Sequence, residues 1–498
     1  MPNTFAHLVF FSWPLVAILF FAAQPPARAL AASVIVGYLL LPERVVVNFP
    51  MIPAINKVMM INLTALVVVM LALRRHRLIS GAGSEAPMPS GTLWVFRILI
   101  LLMVVTPFIT VLTNGEPVIA GPRYIPGIRL YDAFAILAGV AIMLVPFLLG
   151  MHLLRTPEAQ VELLKVLVGA ACVYACLALF EVRMSPQLSS WIYGYFPHSF
   201  AQHIRSGGFR PVVFLHHGLW LGMFLCMAVL GACALWRQAL RDRVQAAPWL
   251  AATLWLALTL LLSRNLGATA LALLFAPLIL FTPPRVQILV AAVVAGVVLS
   301  FPMLRGAGLV PTDNIVSLAE MVNEDRAASL QFRFDHEDAL LARANEKPLA
   351  GWGTWGRNRI YDANTGQDLS VTDGIWVIIM GSFGWLGYIA QFGLLTAPLL
   401  LLLRSRALIS PPSSGLAIMM AANLLYLIPN SALAPIGWMA AGALAGTHAA
   451  RRKNSVESDG NVAKISRWSR AGTHGPLVPS ELNLQDAVSS PHQRTSRT

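Results

Sequence analysis

Between Arg305 and Asp373 the sequence gathers carboxylates, one histidine, several arginines and a turn rich in glycine and tryptophan. The cluster Arg333-Phe-Asp-His-Glu-Asp338 comes first, Gly351-Trp-Gly-Thr-Trp-Gly-Arg357 follows, and Thr372-Asp373 closes the stretch. Carboxylates and imidazoles accept protons from hydroxyl groups. Arginines grip anions through a planar fork of N–H donors. Asp373 stands at the mouth of the next apolar run, Gly374-Ile-Trp-Val, where it is placed to take such a proton, or simply to mark where that run begins. The spacing predicts a helix over 327–344, with Arg333 and Glu337 four apart and able to pair on one face. His336 lies on that helix. Asp335, His336, Glu337 and Asp338 are consecutive, so they splay around the helix and no metal site is expected. Gly351-Trp-Gly353-Thr-Trp-Gly356 formally fits G-x-G-x-x-G, but it follows no strand and opens no dinucleotide-binding unit. No cofactor is therefore expected. What remains is a turn with free N–H groups beside Arg357, suited to bind phosphate, to stack a sugar or to anchor tryptophans at an interface.

Two further places offer cations. The apolar runs Pro248–Leu262 and Leu266–Phe281 hold fifteen and sixteen residues. As helices they cover roughly 22–24 Å, against a hydrocarbon layer of about 30 Å. The turn Ser263-Arg264-Asn265 between them should sit below headgroup level. An arginine there faces water or an anion, or snorkels to lipid phosphates. The second place is Arg205-Ser-Gly-Gly-Phe-Arg210-Pro211, read as leading into a helix from Val212 that carries His216 and His217 one turn in.

These residues must be positioned by a scaffold, and composition identifies its kind. Of 498 residues, 57% are hydrophobic and 12% charged, with mean hydropathy +0.66. Apolar runs long enough to span a bilayer recur near 8–24, 29–42, 55–73, 93–113, 131–150, 161–180, 212–235, 248–263, 266–281, 286–304, 375–403, 415–429 and 433–449. The expected fold is all-α: a polytopic integral membrane protein with about 12 or 13 spans and one large loop, 305–374. Ten-residue alternation is missing, which excludes a β-barrel. The net charge of +13 belongs to topology and not to nucleic acid. Arg74-Arg75-His76-Arg77, Arg155 with Lys165, Arg237-Arg241-Arg243, Arg404-Arg406 and Arg451-Arg452-Lys453 fall on alternate, cytoplasmic loops. Loop 305–374 then faces the periplasm. Residues 1–450 form the transmembrane domain, and 451–498 read as a disordered, basic cytoplasmic tail. The segment 8–24 is read as a retained first helix, because residues 1–7 lack the Lys or Arg of a signal peptide. Cys172, Cys176, Cys226 and Cys233 all lie in apolar runs and serve packing.

Three segments together resemble the O-antigen ligase and Wzy-type polysaccharide polymerase superfamily, over roughly residues 93–450. They are Arg205-Ser-Gly-Gly-Phe-Arg-Pro211 with His216-His217-Gly218, then Ser263-Arg264 before a helix rich in small residues. The third runs from Arg333 through Lys347-Pro-Leu-Ala-Gly-Trp-Gly353 and Asp373-Gly-Ile-Trp to Gly381-Ser-Phe-Gly384-Trp-Leu-Gly387. The resemblance implies a GT-C-like bacterial inner-membrane enzyme performing an inverting, metal-independent transfer. Its donor would be a glycan on undecaprenyl diphosphate and its acceptor a saccharide hydroxyl. Arg210 and Arg264 fall on the family's arginine positions, with Arg205, Arg333 and Arg357 as further diphosphate ligands. Where that family has a histidine base, this chain has Thr372-Asp373, so Asp373 or His336 would serve. Exopolysaccharide or O-antigen polymerisation is the expected function, and a ligase acting on a lipid core or a protein is the close alternative. A flippase for lipid-linked saccharides would put charges at the bilayer midplane on broken helices; here they gather on one face. Lipid-linked oligosaccharide, membrane lipids and other polysaccharide-assembly proteins are the expected partners.

Overall fold

The computed structural model describes residues 1–49, 52–80, 90–205, 207–321 and 324–447, so the expected tail 451–498 lies outside the described residues. Helices α1 (Thr4–Ala23), α2 (Pro26–Leu40), α3 (Lys57–Ser80), α4 (Ser90–Leu112), α5 (Leu130–Leu153) and α6 (Pro157–Met184) come first. After the short α7 (Leu188–Tyr193) come α8 (Gly218–Arg241), α9 (Ala247–Leu262), α10 (Leu266–Phe281) and α11 (Pro284–Gly306). The long polar stretch holds α12 (Thr312–Glu320) and α13 (Glu324–Asn345), the latter close to the expected 327–344. Then follow α14 (Ile375–Leu402), α15 (Pro411–Tyr426) and α16 over 435–447. Among the described residues the strands form only three two-stranded hairpins. These are β1 (Val47–Phe49) with β2 (Ile52–Ile55), β3 (Val118–Ala120) with β4 (Arg123–Ile125), and β5 (Ile204–Arg205) with β6 (Gly208–Phe209).

Among the described residues seven helices are long and apolar enough to cross a membrane: α1, α4, α5, α6, α8, α11 and α14. Four more apolar helices are shorter, α9 and α10 among them. Burial is one-sided on the outer helices. On α1 a stripe of Ala6, Phe10, Trp13 and Ala17 faces inward, while Phe5, Leu8, Phe11, Leu15 and Leu19 are exposed. A helix apolar all round with only one face covered needs an apolar solvent. The protein is therefore read as a helical membrane protein. At the centre lies α8, with 89% of its apolar window buried. Against α5 packs α16 with backbones touching: a Cβ at Gly442 would fall 2.0 Å from the Phe147 carbonyl, and one at Gly446 2.4 Å from that of Met151. Such close approach is the use of small residues four apart in membrane helices.

The sequence reads 375–403 as one continuous span, but α14 is broken at Gly384, where φ is 61° and ψ −160°. A break frees backbone groups that an apolar interior does not hydrate. Segment 347–353 satisfies them. Trp352 and Gly353 N–H donate to the carbonyls of Gly381 (2.8 Å) and Ser382 (2.9 Å). In return Trp385 and Leu386 N–H donate to the carbonyls of Pro348 (2.8 Å) and Leu349 (3.1 Å). The two glycine-rich motifs are thus the two sides of one backbone splice. A second correction concerns α8, which starts at Gly218 and not at Val212. Buried Glu181 accepts the N–H groups of Val212 (2.8 Å), Val213 (2.7 Å) and Leu188 (3.0 Å). Held this way, with Val213 at φ 55° and Leu215 N–H donating to the Val212 carbonyl (3.1 Å), segment 211–217 forms a turn ahead of α8 and not a helix.

Gly384→Ala tests the splice. A Cβ there would lie 2.4 Å from the Pro348 carbonyl oxygen at a positive φ; the expected loss is about 3 kcal/mol or more. Gly296→Ala, on α11 with nothing within 4 Å of its Cβ, should stabilise by up to about 1 kcal/mol. Thermal unfolding in detergent would compare them; equal melting points would remove the splice as a structural keystone.

Candidate functional site

Arg264 is held by a turn built against α8. The Ser263 hydroxyl donates to the Leu260 carbonyl (2.6 Å) and Asn265 caps α10 by accepting the Ala268 N–H (3.3 Å). Between them Arg264 takes φ 56°, a left-handed conformation that costs an L-residue about 1–2 kcal/mol. It persists because its neighbour is clamped. The Asn265 amide donates to the Tyr426 hydroxyl (3.1 Å) and the Gly218 carbonyl (3.4 Å), and Tyr426 donates to the Leu219 carbonyl (3.0 Å). Gly222 leaves the room: a Cβ there would lie 1.8 Å from the Asn265 amide nitrogen.

Hairpin β5–β6 brings the second arginine. Its register pairs Ile204 with Phe209 and Arg205 with Gly208, and Arg210 N–H donates to the His203 carbonyl (2.7 Å). The guanidinium of Arg264 lies over Gly208, and the stem of Arg210 lies over Gly218, each within 2.5 Å of where a Cβ would be. Arg210 reaches the Arg264 carbonyl at 3.5 Å. The two expected diphosphate arginines therefore meet, one across each glycine. The side chain of Arg205 lies outside the described residues.

From the other side, Arg333 on α13 pairs with Asp373 at 3.2 Å, both about a third exposed. Arg333 was expected to pair with Glu337; that pairing is replaced by one with Asp373, in the segment before α14. The charges of both Arg210 and Arg333 act on the Tyr426 hydroxyl.

Several expectations change. His216 and His217 are not one turn inside α8. His217 is its N-cap, with Nδ1 accepting the Leu219 N–H (3.1 Å). Burial, then the nearby charges of His203, His198 and Arg210, push its pKa down to about 2. Its ring stays neutral and the cap persists. His336 packs its ring against Phe332, centroids 4.2 Å apart, and no hydrogen bond joins it to Asp373 among the described residues. In the Gly/Trp turn the N–H groups of Gly351, Trp352 and Gly353 are committed, to the carbonyls of Lys347 (3.0 Å), Gly381 (2.8 Å) and Ser382 (2.9 Å). Arg357, 2% exposed, is a clasp instead of a diphosphate ligand. Its guanidinium donates to the carbonyls of Trp352 (3.1 Å), Pro126 (2.7 Å) and Glu116 (2.8 Å), tying the turn to loop 114–130.

Reading the sequence alone missed Glu181, Tyr426 and the surroundings of Glu337. Glu337 is 5% exposed and shares the inner face of α13 with Leu340, Leu341 and Ala344. That i, i+3, i+4, i+7 stripe was the available signal. Burial chiefly pushes its pKa up to about 7, against the opposing charge of Arg305 and the Trp376 indole, with Asp373 and Asp338 adding to the rise. A largely apolar cavity of about 560 Å³ runs between α4, α5 and the first half of α14, lined by Met103, Ile136, Val140, Ile378 and Phe383, with no ionisable side chain among the described residues of its wall. Among the described residues no group of three or more His, Cys, Asp or Glu is arranged to hold a metal ion. No protein-family model matches the sequence, and no curated protein matches it either.

Ionising Glu337 costs stability, because its folded pKa lies above the ordinary carboxyl value. The cost is absent below pH 4.5 and complete above about pH 7. Relative to Glu337→Gln, the native protein should lose roughly 3 kcal/mol across that window. Unfolding measured from pH 4 to 8 checks this; parallel curves would put the carboxylate in water. Arg357→Ala should destabilise the protein by about 2–4 kcal/mol at every pH by leaving three carbonyls without donors.

Proposed function

We propose that the protein is a membrane glycosyltransferase of the polysaccharide-polymerase kind. It moves a glycan from a polyprenyl-diphosphate carrier to a hydroxyl of another saccharide, as in exopolysaccharide or O-antigen polymerisation. One observation carries the reading: Arg210 and Arg264 converge across Gly208 and Gly218, while Arg333 is paired with Asp373 at 3.2 Å. Arginines from three separate elements suit a multivalent anion with fork-like oxygens, and a diphosphate is one. A carboxylate facing them suits the hydroxyl that attacks.

The step follows. The acceptor oxygen bonds to the anomeric carbon on the face opposite the diphosphate. The bond from that carbon to the diphosphate oxygen breaks, and its electron pair leaves with the diphosphate. Fixed guanidinium charges stabilise the oxygens on which that charge develops, a contribution that such preorganised donors make at about 3–4 kcal/mol each. The proton of the hydroxyl passes to Asp373. The resemblance of the 205–211, 263–264 and 333–387 segments to the O-antigen ligase and Wzy superfamily supports the same reading. With it comes a GT-C-like bundle of about 12 or 13 spans in a bacterial inner membrane. Loop 305–374 would then face the periplasm and the C-terminus the cytoplasm.

Arg264→Gly separates chemistry from folding. Glycine accepts the positive φ without strain, so the melting point should stay level or rise. Transfer from a polyprenyl-diphosphate oligosaccharide, followed as chain length without added metal, should fall by about a hundredfold or more. Full activity of this variant, or strict dependence on a divalent cation, would end the proposal.

A further inference from the structure

The transfer proposed above, on which this inference rests, needs two saccharides at once, a donor and an acceptor. The arginines that would meet the donor's diphosphate sit on hairpin β5–β6 and on the turn between α9 and α10, packed on α8. The largely apolar cavity of about 560 Å³ lies on other elements. Its wall comes from β2, α4, α5, α14 and the glycine-tryptophan turn, and it shares no residue with those arginines. Pro53, Ala54, Gly139 and Met143 also line a second hollow of about 230 Å³ against α3 and α16, so the two are continuous. On α5 the wall runs from Ala135 to Met143. That is roughly 12 Å of helix, most of the apolar depth of one leaflet, about 15 Å.

Gly139 shows that the space is not reserved for helix packing. At Gly150, Gly442 and Gly446 a Cβ would fall within 2.4 Å of a carbonyl oxygen on the facing helix, so those glycines let backbones touch. At Gly139 a Cβ would meet nothing within 4 Å, and the residue is exposed. A glycine inside a helix is destabilising, and here no close backbone contact compensates. The room it leaves adjoins half-buried Ile136, Val140 and Ile378 and opens to the apolar layer. One rim of the cavity is of a different kind. Trp355 is 58% exposed and holds φ 58°, a strained backbone for a bulky residue and one that clusters at ligand sites. Beside it Thr354 buries a hydroxyl with no hydrogen-bond partner among the described residues. Both line the cavity.

This rim is set back from the carboxylate. Gly353 packs on Ile128, just before α5, and its N–H donates to the Ser382 carbonyl (2.9 Å). From Ser382 back to Ile375, the wall residue that follows Asp373 by two positions, α14 covers roughly 10 Å. In a donor the reacting carbon is bonded directly to the diphosphate. In an acceptor the attacking hydroxyl lies at the end of the saccharide away from the lipid. A hydrocarbon seat whose aromatic rim stands a saccharide's length from Asp373 suits the acceptor. We infer that the cavity seats the polyprenyl chain of a lipid-linked acceptor, whose saccharide runs from Trp355 to Asp373 while the donor's diphosphate lies with Arg210 and Arg264.

The test uses the full-length protein in lipid nanodiscs and two substrates that each do one job. The first is a polyprenyl-diphosphate oligosaccharide with its accepting hydroxyl removed, which can only donate. In the second a carbon replaces the anomeric oxygen, so that it can only accept, and its chain carries a photoreactive group. Illumination should label α5 between Ala135 and Met143 and α14 between Ile378 and Phe383. Gly139→Phe puts a ring into the cavity without meeting a neighbouring backbone. It should abolish the labelling with the melting point level or higher. It should also raise the KM of the acceptor by about tenfold or more and leave that of the donor level. In the wild type, removing the acceptor's chain should raise its KM at least as far. Labelling elsewhere, labelling that survives Gly139→Phe, or labelling of the same residues by a photoreactive phospholipid that the acceptor does not displace overturns the seat. A raised KM for the donor instead, or equal KM for acceptors with and without a chain, overturns the assignment to the acceptor. If the cavity is labelled but the wild type extends no chains, the seat stands, the glycosyltransferase reading fails and the acceptor role falls with it.

Discussion

A helix broken inside an apolar layer leaves carbonyls and N–H groups that lipid does not satisfy. In α14 the break at Gly384 is satisfied by segment 347–353, through four backbone hydrogen bonds running both ways. The exchange fixes the segment after α13, the glycine-rich turn and the break in α14 in one frame. Arg357 and the Asn114 amide, which donates to the Gly351 carbonyl (2.9 Å), then bind that frame to the loop between α4 and α5. Arg333, Glu337 and Asp373 are carried on this assembly. Their relative placement is inherited from a backbone splice and not from their own charges, which are too exposed or too few to set it.

The arginine side of the site rests on a comparable device. Glu181, buried in the last turn of α6, captures the N–H groups of Val212 and Val213 and fixes the turn that approaches α8. That turn lets His217 cap the helix and lets Arg210 lie along Gly218. Arg264, like Val213, holds a positive φ, and its strain is tolerated because Asn265 is anchored to Tyr426 and α8. Strained residues held by overdetermined surroundings are common where a side chain must be aimed at a ligand.

Much of the fold was legible in the sequence, and for a definite reason. A membrane span needs a long apolar run, and such runs occur where helices are found, from α1 to α16. The helix over 327–344 was equally legible from its charges and spacing. Boundaries that depend on distant partners were not. The continuous span expected over 375–403 hides the break at Gly384, because a glycine in an apolar run gives no sign of what lies across from it. The start of α8 was placed six residues early for the same reason: its true start is set by Glu181, thirty-one residues upstream of Val212.

For the site, residue type was readable and commitment was not. The sequence by itself determined a helical membrane protein with arginines at 210, 264 and 333 and a carboxylate at 373, since charge and hydropathy are properties of residues. Only the tertiary structure decided which of those groups keep capacity to act. Arg357 looks like Arg264 on paper, yet it is buried and spent on three carbonyls. Glu337 looks like one acid among the three of 335–338, yet it alone of them is buried. Solvation and hydrogen-bond commitment arise from packing between segments far apart in the chain, and a linear sequence does not carry them.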